Sequence, residues 1–249
     1  MLFGEKRVEV RAVIYDKDGT LFNGYVLWQR LEAERFKRLR EAGVTPEAMA
    51  WVSRTVGIDP ETGAIDRTGP MALATAADEV MVTATGLYLA GYQWPEARRI
   101  ALEVYRETER ELDVSTMTVL CEGVKQSLRS LRACGVSLGV VTTDTRERSR
   151  RMLEHAGILG FMDVITGAED YSAPKPDPEP ILKACATLGM PAGDCAYVGD
   201  SPSDMMAATS AGVRLRVGVL TGIGEEAVLR GMSDVVLPSA ACILPAAGG

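Results

Sequence analysis

The chain has 249 residues with a net charge of −7, and 47% of its residues are hydrophobic and 24% charged, which is typical of a soluble globular protein of one large or two modest domains. An acidic chain of this kind is not expected to coat nucleic acid, and no apolar run approaches the roughly 18 residues of a membrane span. The start lacks the apolar segment of a signal peptide, and the five cysteines are widely spaced without a CxxC motif. We therefore expect a cytoplasmic protein with reduced, buried thiols.

The first predicted element is a buried strand that ends at two acidic residues. The run VEVRAVIYD (8–16) is rich in β-forming residues, and the sequence DKDGT begins at its last residue. Asp16 and Asp18 are thus separated only by Lys17. Because like charges held close together repel, and because burying them is costly, the rest of the chain should supply a compensating positive charge.

A helical segment follows, from residue 25 to about 113. YVLWQRLEAERFKRLREAG is amphipathic and stops at Gly43, and Thr45 is placed to cap the next helix. A turn-rich loop, IDPETGAIDRTGP (58–70), precedes two further helical stretches. No strand pattern interrupts this segment, which predicts a helical domain inserted after the first strand.

After residue 114 the pattern alternates between helices and apolar strands. Helices are predicted at 122–135, 144–157, 177–189 and 202–212, and strands at 136–142, 161–167, 194–200, 213–222 and 233–239. This alternation predicts an α/β fold with a doubly wound parallel sheet. The core domain would comprise residues 1–22 and 115–249, the helical domain 23–114, and the tail at 240–249 is expected to fray.

Polar residues follow four of the predicted strands. They are Asp16 and Asp18 after the first strand, Thr142 and Thr143 after the second, Lys175 in the loop SAPKPDP after the third, and Asp200 after the fourth, with Asp204 at the start of the next helix. Ligands of doubly wound sheets bind beyond the carboxyl ends of the strands. The sequence therefore predicts that these side chains share one site.

The residue types in this set indicate a metal and a phosphate. Asp16, Asp200 and Asp204 would repel one another unless a hard cation lay among them, and a few carboxylates with positions left for water and phosphate suit Mg²⁺. Lys175 adds a positive charge, and the Thr142 hydroxyl can hold a phosphate oxygen. We expect a small phosphorylated metabolite as the ligand.

Four segments resemble, in order and spacing, the four motifs of the haloacid dehalogenase superfamily. They are DKDGT, the threonine after SLGVV, the lysine of PKPDP, and GDSPSD. The helical insertion resembles the C1-type cap of its phosphoglycolate phosphatase-like members. The resemblance implies a Rossmann-like core, a helical lid and a Mg²⁺-dependent phosphatase that passes through an aspartyl-phosphate.

The resemblance also implies a role for each matching residue. Asp16 would be the nucleophile and Asp18 the general acid and base. Metal ligands would be Asp16, the backbone carbonyl of Asp18 and Asp200, with Asp204 completing the shell directly or through water, or orienting Lys175. Phosphate would be bound by Thr142, the Thr143 backbone and Lys175. Lys17 stands where an apolar residue is usual. It is expected to point away from the site, its pairing with an acidic neighbour is left open, and it is given no catalytic role.

Alternative functions remain open at this stage. A sugar phosphomutase has the same fold, although Thr20 is typical of the phosphatases. A receiver-type phospho-acceptor module, which is not an enzyme, also places Asp, Thr and Lys at strand ends, but it is roughly half this length and has no large insertion. The substrate and the oligomeric state cannot be predicted from one sequence.

Several other residues are weaker candidates. Tyr25 and Trp28 follow the first motif and are candidates either for the pocket wall or for core packing. Arg67, in the loop at 58–70, is a candidate for binding an anionic leaving group; the alternative is that this loop is only a structural turn. His155 ends a predicted helix, where a packing role is favoured over catalysis.

Overall fold

A computed structural model describes residues 1–74 and 76–246. Two compact units are formed, one by residues 1–24 and 118–249 and the other by residues 25–117. We call them the α/β unit and the helical unit. No helix in the described ranges is both long and apolar enough to cross a membrane.

The described strands are β1 (Leu2–Phe3), β2 (Lys6–Arg7), β3 (Ala12–Tyr15), β4 (Ser137–Val141), β5 (Val164–Thr166), β6 (Cys195–Gly199), β7 (Leu215–Val219), β8 (Val235–Leu237) and β9 (Ile243–Leu244). Six of them form a sheet in the order β5-β4-β3-β6-β7-β8, in which every neighbouring pair is parallel. The predicted doubly wound parallel sheet is confirmed. β3 lies near its middle, between β4 and β6, as expected for a strand that is apolar on both faces.

The α-helices are α1 (Gly24–Glu41), α2 (Pro46–Val56), α3 (Pro70–Leu73), α4 (Ala76–Leu89), α5 (Trp94–Glu111), α6 (Val114–Met117), α7 (Val124–Ala133), α8 (Arg146–His155), α9 (Glu179–Thr187), α10 (Pro202–Ala211) and α11 (Glu226–Met232). Helices α2 to α6 belong to the helical unit, together with all of α1 except its first residue. Helices α7 to α11 alternate with the strands of the α/β unit.

The large sheet is buried on both faces. Ile14 and Tyr197 belong to an apolar cluster with Ile181 of α9 and Ala207 of α10. Val13 has the opposite parity along β3, so that its side chain faces the other side of the sheet, and it too is fully buried. Helices therefore cover both faces, and the strand ends are left as the place where polar side chains collect.

The helical unit has its own apolar core, which α2, α4 and α5 build around residues such as Val52, Leu87 and Ile100. The predicted start of α2 is confirmed, since the Thr45 hydroxyl accepts a hydrogen bond from the Ala48 amide. The stretch predicted as one helix over 71–91 is instead α3 and α4. Residue 75, between them, lies outside the described residues.

Three details differ from the sequence prediction. The first core strand is shorter than 8–16, because the chain before it forms a small antiparallel sheet of β2, β1 and β9. The tail was expected to fray, which is wrong for Ile243–Leu244, because these residues pair with β1; residues 247–249 lie outside the described ranges. The five cysteines are free, as predicted, but Cys134 is exposed and Cys242 is only partly buried.

Candidate active site

The carboxyl ends of β3, β4 and β6 bring the predicted residues together. Asp16 directly follows β3, Thr142 follows β4, and Asp200 follows β6. The amide of Asp16 donates to the carbonyl of Val198 in β6, which continues the parallel ladder one residue beyond β3. Hydrogen bonding between neighbouring strands thus fixes the first acidic residue beside the fourth predicted motif.

Lys175 bridges two of the acidic side chains. Its Nζ lies 2.6 Å from Asp16 Oδ1 and 2.6 Å from Asp204 Oδ1. The lysine side chain is only 8% exposed. Burial alone would lower the pKa of Lys175, but the two carboxylates raise it well above its usual 10.5. The lysine is therefore a permanent cation between the ends of β3 and β6.

Three buried acidic side chains lie close together, with carboxylate oxygens within 4.8 Å of one another. They are Asp16, Asp200 and Asp204, and we call them the aspartate cluster. Burial, opposed by Lys175 and reinforced by Asp204, raises the pKa of Asp16 to about 7. Burial and the other two carboxylates likewise raise the pKa of Asp200 well above its usual value. Three carboxylates thus share one lysine, and this excess of negative charge fits a hard divalent cation such as Mg²⁺.

Asp200 is held in a close-fitting cradle. Its Oδ1 accepts a hydrogen bond from the Thr20 hydroxyl at 3.2 Å, and its Oδ2 accepts one from the Ile223 amide at 2.9 Å. A Cβ atom at Gly19 or Gly222 would overlap the Asp200 carboxylate. The glycines therefore let two loops approach this carboxylate closely, and Gly19 also adopts a left-handed conformation with φ of +88°.

Both oxygens of Asp204 are already occupied by donors. Oδ1 accepts from Lys175 and, at 3.1 Å, from the Tyr197 hydroxyl. Oδ2 accepts from the amide and hydroxyl of Ser201, at 3.1 and 2.7 Å, in a capping box at the start of α10. Of the roles left open by the sequence, these contacts favour the orienting of Lys175.

Thr142 is buried at the end of β4, whereas Thr143 is exposed. The Thr142 hydroxyl accepts a hydrogen bond from the Asp144 amide at 3.1 Å, which leaves the hydroxyl proton to donate elsewhere. The Thr142 carbonyl accepts from the Tyr171 hydroxyl at 2.9 Å. The turn after β4 is thereby fixed with a hydroxyl donor at its start.

Asp18 lies beside the aspartate cluster, and its charge contributes to the raised pKa of Asp16. Its own closest partner is Lys17, whose Nζ lies 2.6 Å from Asp18 Oδ2. The pairing of Lys17 with an acidic neighbour, which the sequence left open, is confirmed: its long side chain reaches Asp18 while remaining completely buried. The Asp144 carboxylate, at 3.2 Å, is a second partner.

Sequence reasoning missed the contributions of Tyr197 and Asp144 and used Thr20 only as a family marker. Tyr197 had a detectable signal, since a tyrosine inside an apolar strand must find a partner for its hydroxyl, and this one is three residues before Asp200. Asp144 had no such signal in the sequence, because an acidic residue before a helix is usually interpreted as a helix cap.

The weaker candidates take structural positions. In the helical unit the Arg67 guanidinium lies 5.3 Å from the centroid of the Tyr25 ring, and Tyr25 packs edge-to-face on Trp28 at 5.6 Å. His155 is exposed and is the last residue of α8, as predicted.

The family model for haloacid dehalogenase-like hydrolases matches residues 71–217, more than half of the chain. The chain belongs to the haloacid dehalogenase-like hydrolase family. The matched range includes Thr142, Lys175, Asp200 and Asp204 but begins after Asp16 and Asp18. Three of the four motifs therefore lie inside the matched range, and the first is tied to the others by the contact of Asp16 with Lys175.

Curated relatives of this haloacid dehalogenase-like hydrolase are named as phosphatases. A putative pyrophosphatase PpaX from Caldanaerobacter subterraneus subsp. tengcongensis is 38% identical over 115 residues, which cover 46% of this chain and 52% of that protein. A phosphoglycolate phosphatase from Salmonella typhimurium is 37% identical over 132 residues, which cover 53% of this chain and 52% of that protein. The chain thus spans about half the length of the curated relatives it matches.

A solved structure extends the likeness to nearly the whole chain. The HAD-superfamily hydrolase of subfamily IA from Geobacter sulfurreducens aligns with a TM-score of 0.63 over 93% of each chain, at 21% identity. At that identity the comparison shows a shared fold.

Proposed function

We propose that this protein is a Mg²⁺-dependent phosphomonoester hydrolase that acts on a small phosphorylated metabolite. The observation that carries the proposal is the buried aspartate cluster around Lys175 at the strand ends. A lysine and three carboxylates in this arrangement suit a phosphoryl group bound next to an anionic nucleophile. The names of the relatives support the same reaction class.

The proposed metal ligands are Asp16, Asp200 and the backbone carbonyl of Asp18. When bound, Mg²⁺ would offset the charge of the carboxylates and of the phosphoryl oxygens. Asp204 acts through Lys175, or through a water molecule, because its oxygens already accept four hydrogen bonds. Lys175 opposes the effect of burial and so favours the ionised form of Asp16, and it pairs with a phosphoryl oxygen, while the Thr142 hydroxyl and the Thr143 amide hold the remaining oxygens.

In the first step an oxygen of Asp16 attacks phosphorus in line with the ester bond. The P–O bond to the leaving group breaks, its electron pair stays on the leaving oxygen, and that oxygen takes a proton from the Asp18 carboxyl group. The products are an alcohol and a phosphoryl group on Asp16.

In the second step Asp18, now a carboxylate, takes a proton from water. The water oxygen attacks the same phosphorus, and the P–O bond to Asp16 breaks. Inorganic phosphate leaves, and both aspartates return to their starting forms. The same carboxyl group thus serves as acid and then as base.

The helical unit is proposed to act as a cap that closes over the phosphoryl group and selects the leaving group. The sequence predicts residues 23–114 for this lid. Phosphoglycolate and pyrophosphate, which appear in the names of the relatives, are the first substrates to test.

The test is phosphate release from a panel that includes phosphoglycolate, pyrophosphate and sugar and nucleoside phosphates, with Mg²⁺ and with a chelator. We expect metal-dependent release of inorganic phosphate and a loss of at least about a thousandfold in Asp16→Asn. Asp194→Asn, the same change at a surface ion pair with Arg11, is the matched control and should retain activity. A phosphomutase would isomerise a sugar phosphate without net release of phosphate, and a receiver module would release none.

A further inference from the structure

Lys17 is a buried charge to which the mechanism so far assigns no role. Its side chain has no exposure to solvent, although it lies between two acidic residues in the sequence. An ammonium group taken out of water without partners costs several kcal/mol. The contacts of this group must therefore offset a large desolvation penalty.

The ammonium group of Lys17 contacts two different strand ends. Nζ lies 2.6 Å from Asp18 Oδ2 in the turn after β3, and 3.2 Å from Asp144 Oδ2 in the turn after β4. The sulfur of Met152 in α8 is 3.1 Å away. Lys17 is also rigid at its backbone, since its carbonyl accepts from the amides of Leu21 and Phe22, both at 3.0 Å.

Asp144 is itself a fixed anchor. Its amide donates to the Thr142 hydroxyl, and its Oδ1 accepts from the Thr145 amide at 2.8 Å. Arg148, one turn into α8, lies 3.7 Å from Asp144 Oδ2. Lys17 therefore joins Asp18 to a segment whose position is set by other hydrogen bonds.

The two carboxylate oxygens of Asp18 differ in their hydrogen bonding. Oδ2 accepts the ammonium group of Lys17, whereas Oδ1 is shielded from solvent and has no hydrogen-bond partner in the described part of the chain. A charge-assisted hydrogen bond of this kind fixes the orientation of the Asp18 carboxylate more firmly than a neutral one would.

We propose that Lys17 is a positioning residue that ties the Asp18 carboxylate to Asp144 and so fixes the orientation from which Asp18 gives and takes the proton. This inference rests on the proposed function, because it concerns the proton transfer of that reaction. A purely structural Lys17 would affect folding, and hence every substrate, to the same degree.

The test compares substituted phenyl phosphates, which have similar shapes but leaving groups of different basicity. Lys17→Met keeps the length and removes the charge, and Lys17→Arg keeps the charge. In Lys17→Met we expect kcat/KM for phenyl phosphate, whose leaving group needs a proton, to fall on the order of 10- to 100-fold. For p-nitrophenyl phosphate, whose leaving group does not need a proton, kcat/KM should stay within a few-fold, and Lys17→Arg should recover most of the loss. The comparison uses kcat/KM because this quantity reports the first step, whereas kcat also includes the attack of water, which is common to all the esters.

A uniform fall across the series, or no fall, would overturn the positioning role. If Lys17→Met does not fold, Asp144→Asn provides a second test, because it removes the other carboxylate that Lys17 contacts. This variant should shift the dependence of the rate on the leaving group in the same direction. An unchanged dependence in folded Asp144→Asn would also overturn the positioning role. Failure of the proposed function is distinguishable, because the wild-type protein would then release phosphate from no ester in the series.

Discussion

The two units bury charge in opposite ways. In the helical unit, Arg35 contacts both Glu32 and Glu79, and its guanidinium lies 3.9 Å from the centroid of the Tyr105 ring. We call Glu32, Arg35 and Glu79 the glutamate–arginine cluster. It lies among helices, and its arginine is shared by only two carboxylates. The aspartate cluster lies at strand ends, where three carboxylates share one lysine.

The difference separates a packing role from a ligand site. A buried cluster whose charges nearly balance can be stable without a ligand, although it contributes little net stability. A buried cluster with two excess negative charges is stable only if a cation joins it or if some of its carboxylates take up protons. Burial raises the pKa of carboxyl groups in both clusters, so it is the excess of negative charge that distinguishes the aspartate cluster.

The largest expected effect comes from filling the space against Asp200. Gly222→Ala places a methyl group where the Asp200 carboxylate lies, so that this proposed metal ligand must move. We expect a loss of activity of 100-fold or more, on the order seen when a key electrostatic group is displaced, and weaker Mg²⁺ binding measured by calorimetry. Gly231→Ala adds the same methyl group to open space and should change neither quantity. An active, Mg²⁺-binding Gly222→Ala would show that Asp200 is not essential to the site.

The second effect is on stability and concerns the helical unit. Burial raises the pKa of Glu79 from 4.5 to about 7, although Arg35 opposes the shift. The unfolded chain releases this proton near pH 4.5 and the folded chain near pH 7, so the stabilisation present below pH 4.5 is lost as pH rises between these values. Glu79→Gln should remove this loss, and the free energy of unfolding of the variant relative to wild type should rise by on the order of 3 kcal/mol across that interval.

Denaturant unfolding at pH 4.5 and pH 8 measures this difference. A free-energy difference between the two proteins that is independent of pH would show that Glu79 is ionised throughout. The glutamate–arginine cluster would then be more tightly balanced than its burial indicates. Phosphatase activity, which belongs to the other unit's residues in the proposed mechanism, gives a separate measurement on the same variant.

The smallest expected effect concerns Tyr197. Tyr197→Phe removes one donor to Asp204 Oδ1 but leaves Lys175 in place. Loss of one hydrogen bond to a charged group that acts indirectly should lower kcat by about 3- to 10-fold. Tyr15→Phe, in the neighbouring strand β3, is the matched control, because the buried Tyr15 hydroxyl has no partner within the described ranges. Equal activity in the two variants would remove Tyr197 from the set that orients Lys175.

The strand ends could be predicted from the sequence because each one is marked by residues that are neighbours along the chain. Each apolar run stops at a polar residue, and a parallel sheet brings such stops to one edge. Asp16, Thr142 and Asp200 were found in this way. Lys175 was found because it is the lysine of a short proline-rich loop at the corresponding place after β5.

The remaining features depend on contacts between distant segments. β1 and β9 have two residues each, which is too short for a periodic pattern, so their pairing could not be predicted. Arg35 and Glu32 are typical of a solvated helix face in sequence, and only the packing of α1 buries them. That Lys17 joins Asp18 to Asp144 could not be predicted, because alternation along a strand predicts direction at Cβ and not where a long side chain ends.

A covalent phosphoenzyme, trapped during turnover, would identify the nucleophile directly. The protein is mixed with Mg²⁺ and its best phosphate ester, quenched in acid during turnover, and digested for mass spectrometry. The account predicts one phosphoryl group on the peptide that contains Asp16 and none in Asp16→Asn. A phosphoryl group on another residue, or wild-type turnover by Asp16→Asn, would contradict it.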